Sequence, residues 1–342
     1  MSSTEKFRIP STTVAKMCKI HYLLVNFGGP RNCDEVEEFL IALLTDKEVI
    51  RSSLPAWAHS FLFTRIAKKR AVQVVKDYLL IGGKSPIFDD TQEIALQVGD
   101  LLGSEVMTFH RYLPQTHGAF IEQIKGLSEV KTIRVFPLFP QFSYATTGSI
   151  ALWLSKYLPK EIFSKMQCVK SYPSDPLYIA SMCSTLRECL EKQGWAEAEV
   201  CLLFSAHGLP QQFVDTGDPY QQECELSFSL MKEQFPQAVS LLSYQSQFGK
   251  QPWILPYTSV VSQQIKSYAQ GRRRVVIIPL SFSSDHVETL YEIEYTYVTA
   301  IRAQGLEAVR CPALNLRKEW IQAIAHLFTH ASSIQMNKAL RR

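Results

Sequence analysis

Four continuous apolar runs, each followed by a turn of small or polar residues, form the most regular pattern in the chain. They are 20–30 (IHYLLVNFGGP), 133–143 (IRVFPLFPQFS), 199–210 (EVCLLFSAHGLP) and 275–285 (VVIIPLSFSSD). The first run resembles the third, and the second resembles the fourth. Continuous rather than alternating apolar runs are typical of parallel strands that are buried on both faces of a sheet.

Amphipathic patterns with a helical period separate these runs. They cover 33–46, 91–103, 119–127, 177–194 and 224–235, and two more, 294–305 and 316–334, lie near the carboxyl end. Strands that alternate with helices twice along a chain indicate two similar α/β halves. We therefore predict two doubly wound, Rossmann-like domains, each with a central parallel sheet flanked by helices, and a cleft between them.

The predicted first domain covers 17–175 and the second covers 176–312, and a helix at 313–335 is expected to pack back on the first domain. The first half is the longer one, and we place its extra residues in an insertion at about 45–89. This insertion joins an apolar stretch, SSLPAWAHSFLF, to a basic one, TRIAKKR. It is a lip over a flat apolar ligand, a contact for a membrane surface, or an excursion that packs on its own domain.

Composition excludes several classes of protein. Of the 342 residues, 46% are hydrophobic and 20% are charged, as in folded globular proteins. The net charge of +4 is too small to indicate nucleic acid binding. No apolar run approaches the ~18 residues of a membrane span, and the amino terminus, MSSTEKFRIPSTTVAKMCK, lacks the apolar segment of a signal peptide. We expect a cytoplasmic monomer with, at most, weak peripheral membrane contact.

The eight cysteines show no metal-binding spacing. They stand at positions 18, 33, 168, 183, 189, 201, 224 and 311, and none forms C-x-x-C. Several fall in predicted strands or on apolar helix faces, where reduced cysteine behaves as a small hydrophobic residue. A disulfide framework and a thiolate metal site are therefore not expected.

The stretch SSDHVETLYEIE begins a helix with an unusual density of charge. On a regular helix Asp285, Glu288 and Glu292 share one face, and like charges at that spacing repel by a few tenths of a kcal/mol per pair. A capping box with Asp285 as N-cap explains Asp285 and Glu288 but leaves Glu292 unexplained. A cation, a shared proton or solvation are the alternatives that offset the repulsion. His286 falls nearer the apolar face, as a packed, hydrogen-bonded residue.

His207 follows a predicted strand, and the small residues beside it let its ring project into the cleft. Ligands of open α/β sheets bind outside the carboxyl ends of the strands, although a structural histidine is the commoner alternative. An imidazole with a carboxylate suits a divalent metal or proton transfer. Phe27, Phe142, Tyr144 and Trp253 are candidates for a flat apolar pocket. The sequence lacks the glycine-rich phosphate loops and the G-x-S-x-G elbow.

An ordered series of motifs resembles the ferrochelatase family, whose members insert ferrous iron into a porphyrin. The motifs are LLVNFGGP, IGGKSPI, FHRYLP, FPQFSYATTGS, FSAHGLPQQFVDTGDPY, SYQSQFGKQPWILP, SFSSDHVETLYEIEY and RKEWIQAI, and they extend over nearly the whole chain. Each alone is a weak signal, but their shared order is specific. The resemblance implies a lyase of haem biosynthesis with Fe²⁺ and a porphyrin as substrates and no permanently bound cofactor.

The resemblance also implies roles for individual residues. His207 and Glu288 match the chelation centre, as catalytic residues and as metal ligands. Glu292 continues an acidic path for protons, with Asp285 and His286 beside it, along a helix that resembles one with a locally widened turn. The residues that match the porphyrin pocket are Phe27, Ser85, Arg111, Tyr112, Thr146 and Trp253.

Two of these matches bear on the substrate. Arg111 and Tyr112 match the position that meets the porphyrin carboxylates and the macrocycle, and Phe27 matches a residue against the ring. Members that act on coproporphyrin tend to carry tyrosine where this chain has Phe27, so protoporphyrin IX is the expected substrate and coproporphyrin III the alternative.

Some members of the family hold a [2Fe–2S] cluster with cysteines of a carboxyl-terminal extension. Here only Cys311 follows Cys224, so no cluster is expected.

Three other functions compete with iron insertion. A non-catalytic tetrapyrrole-binding protein would not need the acidic stripe, a chelatase for cobalt usually has a more histidine-rich site, and a phosphate-handling enzyme would need the missing glycine loops.

Overall fold

The computed structural model describes residues 20–127 and 129–340. Cys18, the first three residues of the predicted first domain and the amino terminus expected to lack a signal peptide lie outside the described residues. The strands are β1 (Ile20–Asn26), β2 (Val106–His110), β3 (Thr132–Pro137), β4 (Met166–Cys168), β5 (Val200–His207), β6 (Val239–Gln245), β7 (Arg274–Pro279), β8 (Glu307–Arg310) and β9 (Ile334–Gln335).

The helices alternate with these strands. The α-helices are α1 (Val36–Leu44), α2 (Ala56–Leu80), α3 (Ile87–Leu102), α4 (His117–Lys125), α5 (Ser149–Tyr157), α6 (Lys160–Phe163), α7 (Pro176–Gln193), α8 (Gln211–Asp215), α9 (Tyr220–Glu233), α10 (Thr258–Gln263), α11 (Ile265–Tyr268), α12 (Thr299–Arg302) and α13 (Lys318–His330). Two π-helices occupy Tyr144–Gly148 and Glu288–Val298, and 3₁₀ turns occupy Cys33–Glu35, Pro114–Thr116, Glu197–Glu199 and Met336–Ala339.

The first sheet has the order β2-β1-β3-β4-β9. Its first four strands are parallel, and only β9 pairs antiparallel, with β4. Leu23, Leu24 and Val25 of the central strand β1 are fully buried. This explains why the run is continuously apolar, because helices cover both faces of the sheet.

The second sheet has the order β6-β5-β7-β8, and all of its strands are parallel. In its register His207 lies opposite Gln245, and Ser205 lies opposite Pro279. The carboxyl ends of three adjacent strands therefore meet at one edge. The two parallel sheets flanked by helices confirm the predicted fold class.

The helix near the carboxyl end, α13, buries one face against the first half of the chain. Trp320 and Phe328 are fully buried, and the Phe328 ring lies 5.2 Å from that of Tyr22 in β1. The helix also packs against α3 and α7. The domain boundaries at 17–175, 176–312 and 313–335 and the insertion at about 45–89 stay predictions.

The helix α2 lies within the expected insertion. Near its start it exposes large apolar side chains, with Trp57 76% and Phe61 62% accessible to solvent. Farther along, Ala67 and Tyr78 are buried. None of the helices described here combines the length and apolar character needed to cross a membrane.

Candidate active site

Two adjoining cavities open beside the strand ends of the second sheet. The larger has a volume of about 890 Å³ and the smaller about 170 Å³. Ligand pockets of proteins span about 300–1,000 Å³, so the larger cavity has the size of a small-molecule site. Four predicted site residues border both cavities: Phe27, Trp253, His207 and Glu288.

His207 is the last residue of β5, and its ring is held in one tautomer. Its backbone N–H donates to Ser281 Oγ at 2.9 Å, and its Nδ1 lies 2.6 Å from the carbonyl oxygen of Gly208. Since that oxygen can only accept, Nδ1 carries the proton, and in the neutral ring Nε2 carries the lone pair. A Cβ at Gly208 would lie 2.8 Å from the Gln245 carbonyl oxygen, so glycine is required there. Because Nε2 carries the lone pair, the imidazole can act as a metal ligand or as a base.

Glu288 meets the ring of His286. The His286 Nδ1 lies 2.7 Å from Glu288 Oε2, and its ring packs edge-on against Phe282 with centroids 4.8 Å apart. Burial alone would raise the pKa of the Glu288 carboxyl, but the charge and hydrogen bond of His286 and the charge of His207 outweigh it and lower that pKa to about 2. Glu288 is therefore ionised at neutral pH, and His286, which lines the smaller cavity, belongs to the site.

The capping box expected for Asp285 is wrong. The π-helix starts at Glu288 with Val287 as its N-cap and has no side-chain cap. Asp285 instead accepts hydrogen bonds from Arg310 at 2.7 Å, the Asn315 amide at 2.8 Å and the Thr289 hydroxyl at 2.7 Å. It is 6% exposed and borders neither cavity, so it anchors the start of the helix.

Glu292 lines the larger cavity and is held by the end of β6 and by its own helix. Its carboxylate accepts the Ser246 N–H at 3.0 Å, the Ser246 hydroxyl at 2.5 Å, the Gln245 amide at 3.1 Å and the Tyr297 hydroxyl. Ser246 has a φ of 64°, which is strained for a residue other than glycine. Such strain is retained where the surrounding contacts demand it.

Phe27 follows β1 and is partly buried in the wall of both cavities. Its ring meets Tyr112 at 4.5 Å and Phe39 at 6.4 Å, both edge-on. Ser85 is 1% exposed and also borders the smaller cavity. The backbone of Gly29 passes so close to it that an added Cβ would lie 2.5 Å from Ser85 Oγ.

Thr146 and Trp253 border the cavities from opposite halves of the chain. Thr146 belongs to the π-helix after β3, and it lines the smaller cavity. The Trp253 indole donates to the Phe248 carbonyl oxygen at 2.9 Å, and its backbone forms a bridge with Pro210. The structure thus gathers aromatic and small polar groups around His207 and Glu288.

Arg111 and Tyr112 border neither cavity. Arg111 pairs with Asp46 at 2.6 Å and donates to Ser149 Oγ at 2.9 Å, while the fully buried Tyr112 donates to Asp46 at 2.8 Å. Their predicted contact with porphyrin stays a prediction. Tyr112 packs behind Phe27, whose ring lines both cavities.

Sequence reasoning missed several residues that the structure brings to the larger cavity. They are Arg51, Arg70, Tyr78 and Ser246. Arg70 stacks on Phe248 with its guanidinium carbon 4.5 Å from the ring centroid, and burial lowers its pKa. Ser246 had a detectable signal, since it lies in the motif SYQSQFGKQPWILP. Arg70 ends the basic stretch TRIAKKR, whereas Arg51 and Tyr78 had no signal, because an insertion gives no periodic clue to what it faces.

Among the described residues, no three histidine, cysteine, aspartate or glutamate side chains converge as a metal site. His207 and Glu288, which border both cavities, are the imidazole and carboxylate of the candidate centre. Such a centre can hold a divalent ion only together with other ligands, such as the nitrogens of a macrocycle.

Known proteins resemble this chain over most of its length. The family model described as Ferrochelatase matches residues 19–332. Proteins named Ferrochelatase from Chlamydia abortus (strain DSM 27085 / S26/3) and Chlamydia caviae (strain ATCC VR-813 / DSM 19441 / 03DC25 / GPIC) are 41% and 39% identical, each over 320 residues that cover 94% of this chain and 98% of the relative.

A solved structure shares the fold. It is titled "The structure of CbiX, the terminal Enzyme for Biosynthesis of Siroheme in Denitrifying Bacteria", and it matches with a TM-score of 0.51 and 15% identity over 91% of this chain and 99% of that one. The family match and the identity of the relatives decide the assignment: the chain belongs to the ferrochelatase family, enzymes of haem biosynthesis that insert a metal ion into a porphyrin.

Proposed function

We propose that the larger cavity is where ferrous iron enters protoporphyrin IX to give protohaem, with release of two protons. The observation that carries this proposal is that His207 and Glu288 border the same cavity of about 890 Å³. An imidazole with a free Nε2 and an ionised carboxylate are ligands suited to Fe²⁺. Within the described part of the chain, no larger metal cage competes with the porphyrin nitrogens for the ion.

Proton removal falls to the same groups. The two pyrrole N–H protons must leave as the metal enters, and the Nε2 lone pair of His207 can accept one of them when it does not hold the metal. We propose that Glu292 receives protons next, because it lines the same cavity as His207 and its carboxylate already accepts the hydroxyls of Ser246 and Tyr297. Glu288 provides the fixed negative charge that the approaching cation requires.

The porphyrin carboxylates need cations at the rim of the cavity. Arg70 lines it and stacks on Phe248, and Arg51 lines it too but donates to Thr216, while Arg111 is paired with Asp46. We propose that Arg70 contacts a propionate of the substrate. Arg70→Gln should then raise the porphyrin KM about 10-fold, the usual loss for a charge-assisted hydrogen bond. An unchanged KM would exclude Arg70 from the propionate site.

The choice between porphyrins rests on Phe27, which presents an apolar edge to the cavity. We propose protoporphyrin IX rather than coproporphyrin III, because the phenyl ring has no hydroxyl to meet an extra carboxylate. Side-by-side insertion assays with both porphyrins test this for the wild type and for Phe27→Tyr. A wild type that metallates coproporphyrin III faster would make it the substrate. A Phe27→Tyr variant with unchanged preference would remove Phe27 from the choice.

The apolar start of α2 is a candidate for membrane contact. Trp57 and Phe61 are exposed there, and the basic residues Arg65 and Lys69 follow on the same helix. We propose weak peripheral binding to anionic lipid. Co-sedimentation with phosphatidylserine vesicles should detect it, and Trp57→Ser with Phe61→Ser should abolish it. Equal sedimentation of the double variant would contradict the proposal.

Further properties follow as proposals from the sequence. We propose a cytoplasmic monomer with no nucleic acid partner, no [2Fe–2S] cluster and no other permanently bound cofactor. The cysteines of the described residues are all free, and all but Cys33 are buried, which favours reduced thiols in the core. Iron analysis and visible absorbance of the purified protein test for a cluster, and sedimentation equilibrium tests the mass in solution.

A further inference from the structure

One wall of the smaller cavity is held in place by carboxylates from the other half of the chain. The wall is the segment that follows β3, and its cavity-lining residues are Leu138, Phe139, Gln141, Ser143, Ala145 and Thr146. The carboxylates are Asp218 and Glu223, which lie in the turn before α9 and in its first turns. The contacts therefore join the two halves at the cavity itself.

Asp218 makes most of these contacts. Its Oδ2 accepts the Ser143 hydroxyl and the Tyr144 N–H, each at 2.9 Å, and its Oδ1 accepts the Tyr220 N–H at 3.1 Å. The residue is only 3% exposed. Three donors thus converge on one buried carboxylate, two from the wall and one from α9.

Glu223 and the residues beyond it extend the same contact. Glu223 accepts the Phe142 N–H at 2.7 Å and the Ser171 hydroxyl at 3.0 Å. One turn farther along α9, the Ser227 hydroxyl accepts the Gln141 amide at 2.9 Å. Consecutive residues of the wall, Gln141 to Tyr144, are therefore all bound by α9 or the turn before it.

The backbone N–H of Asp218 connects it to the segment that follows His207. Its N–H donates to the Phe213 carbonyl oxygen at 3.0 Å, and the Phe213 N–H donates to the Pro210 carbonyl oxygen at 2.9 Å. Pro210 comes three residues after His207 and lines both cavities. Asp218 thus links the turn after the histidine to the wall.

Burying two carboxylates costs free energy unless hydrogen bonds compensate. Burial raises the pKa of both carboxyls, and the hydrogen bonds from the wall oppose that rise. An apolar contact could join the halves without that cost, but it would not fix individual backbone amides. The buried carboxylates therefore serve to fix the position of the wall rather than to stabilise the fold.

We propose that Asp218 is a positioning residue that sets the porphyrin-facing wall against the turn after His207, with Glu223 as its support. This inference rests on the proposed function, because it requires the porphyrin to lie in these cavities. A displaced wall weakens porphyrin binding in the ground state and the transition state alike. The expected signature is a raised porphyrin KM with little change in kcat.

The test compares Asp218→Asn with Asp175→Asn. An asparagine side chain has one acceptor oxygen and could no longer accept on both sides, so the porphyrin KM should rise about 10-fold while kcat stays within about 2-fold. Asp175 is the matched control, because it also accepts two backbone N–H groups, those of Leu177 and Tyr178, but borders neither cavity. Its substitution should leave KM unchanged, and Tm should change little because both N–H groups are accepted by Oδ1, which asparagine retains.

Ser143→Ala keeps the test decisive if Asp218→Asn fails to fold, since it removes only the hydroxyl that donates to Asp218 and accepts the Ala145 N–H. It should raise KM by about 3-fold, and in a double variant the two effects should be less than multiplicative. The inference would be overturned if the porphyrin KM of Asp218→Asn rose no more than that of Asp175→Asn. It would also be overturned if the effects of Asp218→Asn and Ser143→Ala on KM multiplied in the double variant. Insertion by His207→Ala at the wild-type rate would instead remove the proposed site, and the two failures are thereby distinguished.

Discussion

The Nδ1 of His286 lies 2.7 Å from the Oε2 of Glu288, although residues two apart do not face each other on a regular helix. The contact exists because His286 precedes the π-helix that begins at Glu288. Its ring, packed on Phe282, is fixed before the helix starts. The histidine thereby keeps the carboxylate ionised and aimed at the cavities.

The ionised carboxylate of Glu288 leads to the first prediction. Glu288→Gln keeps the shape of the side chain and removes its charge, so metal insertion should fall by about 10²- to 10⁴-fold while the porphyrin KM changes little. Anaerobic Fe²⁺ insertion followed by absorbance measures both constants. Glu294→Gln is the control, because Glu294 lies on the same helix and borders neither cavity. Wild-type turnover in Glu288→Gln would contradict the role of the carboxylate.

The pH profile should respond to His286. In the wild type the pKa of Glu288 is about 2, so this carboxyl does not titrate between pH 5 and 8. His286→Asn removes the main charge that lowers this pKa, while burial continues to raise it. The acid limb of kcat/KM should therefore move upward, with activity lost progressively below about pH 6. His326→Asn, on the exposed face of α13, should leave the limb in place. If the acid limb of kcat/KM in His286→Asn stayed at the wild-type pH, the ionisation of Glu288 would not depend on His286.

Asp46 should be a major contributor to stability. It accepts hydrogen bonds from Arg111, Tyr112 and Ser149, and breaking one partner of a buried pair costs about 3–5 kcal/mol. Asp46→Asn should lower the free energy of unfolding in urea by that amount. Asp89→Asn, which breaks an exposed pair with Lys84, should cost less than about 1 kcal/mol. Equal losses in the two variants would refute the prediction.

Asp90 should destabilise the folded chain at alkaline pH. Burial and the charges of Asp285 and Asp89 raise the pKa of its carboxyl to about 6 from 3.8. The folded state therefore holds the proton more tightly than the unfolded state. The stabilisation by the bound proton is complete below pH 3.8 and is lost as pH rises through 6.

Asp90→Asn should consequently raise the free energy of unfolding at pH 8 by roughly 1–3 kcal/mol and leave it nearly unchanged at pH 4. Urea denaturation at the two pH values measures the difference. An equal effect at both would mean that Asp90 acts through packing rather than through its charge.

The fold was predictable because its strands carry their own signal. β5 is buried along nearly its whole length, so its sequence, VCLLFSAH, is apolar without reference to any partner. The helical ends were less predictable. The segment 294–305, expected to be one helix, forms the latter part of the π-helix and then α12. The change between them could not be predicted, because a widened turn leaves no distinct period in the sequence.

The candidate site was predictable only where residues stand at strand ends or in motifs. His207 meets both conditions, and Glu288 meets the second. The partners that define the site could not be read from the chain, because they are distant in sequence. Ser246 stands 46 residues from Glu292, and Asp218 stands 75 residues from Ser143. Such pairings depend on the packing of whole elements.

The most direct test of the central claim is anaerobic Fe²⁺ insertion into protoporphyrin IX by wild type and His207→Ala, with porphyrin binding followed separately by fluorescence. We predict that the variant binds porphyrin with an affinity within about 3-fold of the wild type and inserts iron at least about 10²-fold more slowly, because the imidazole acts on the metal and the pyrrole protons rather than on the ring. Insertion at the wild-type rate by a folded, porphyrin-binding His207→Ala would place the chelation centre elsewhere.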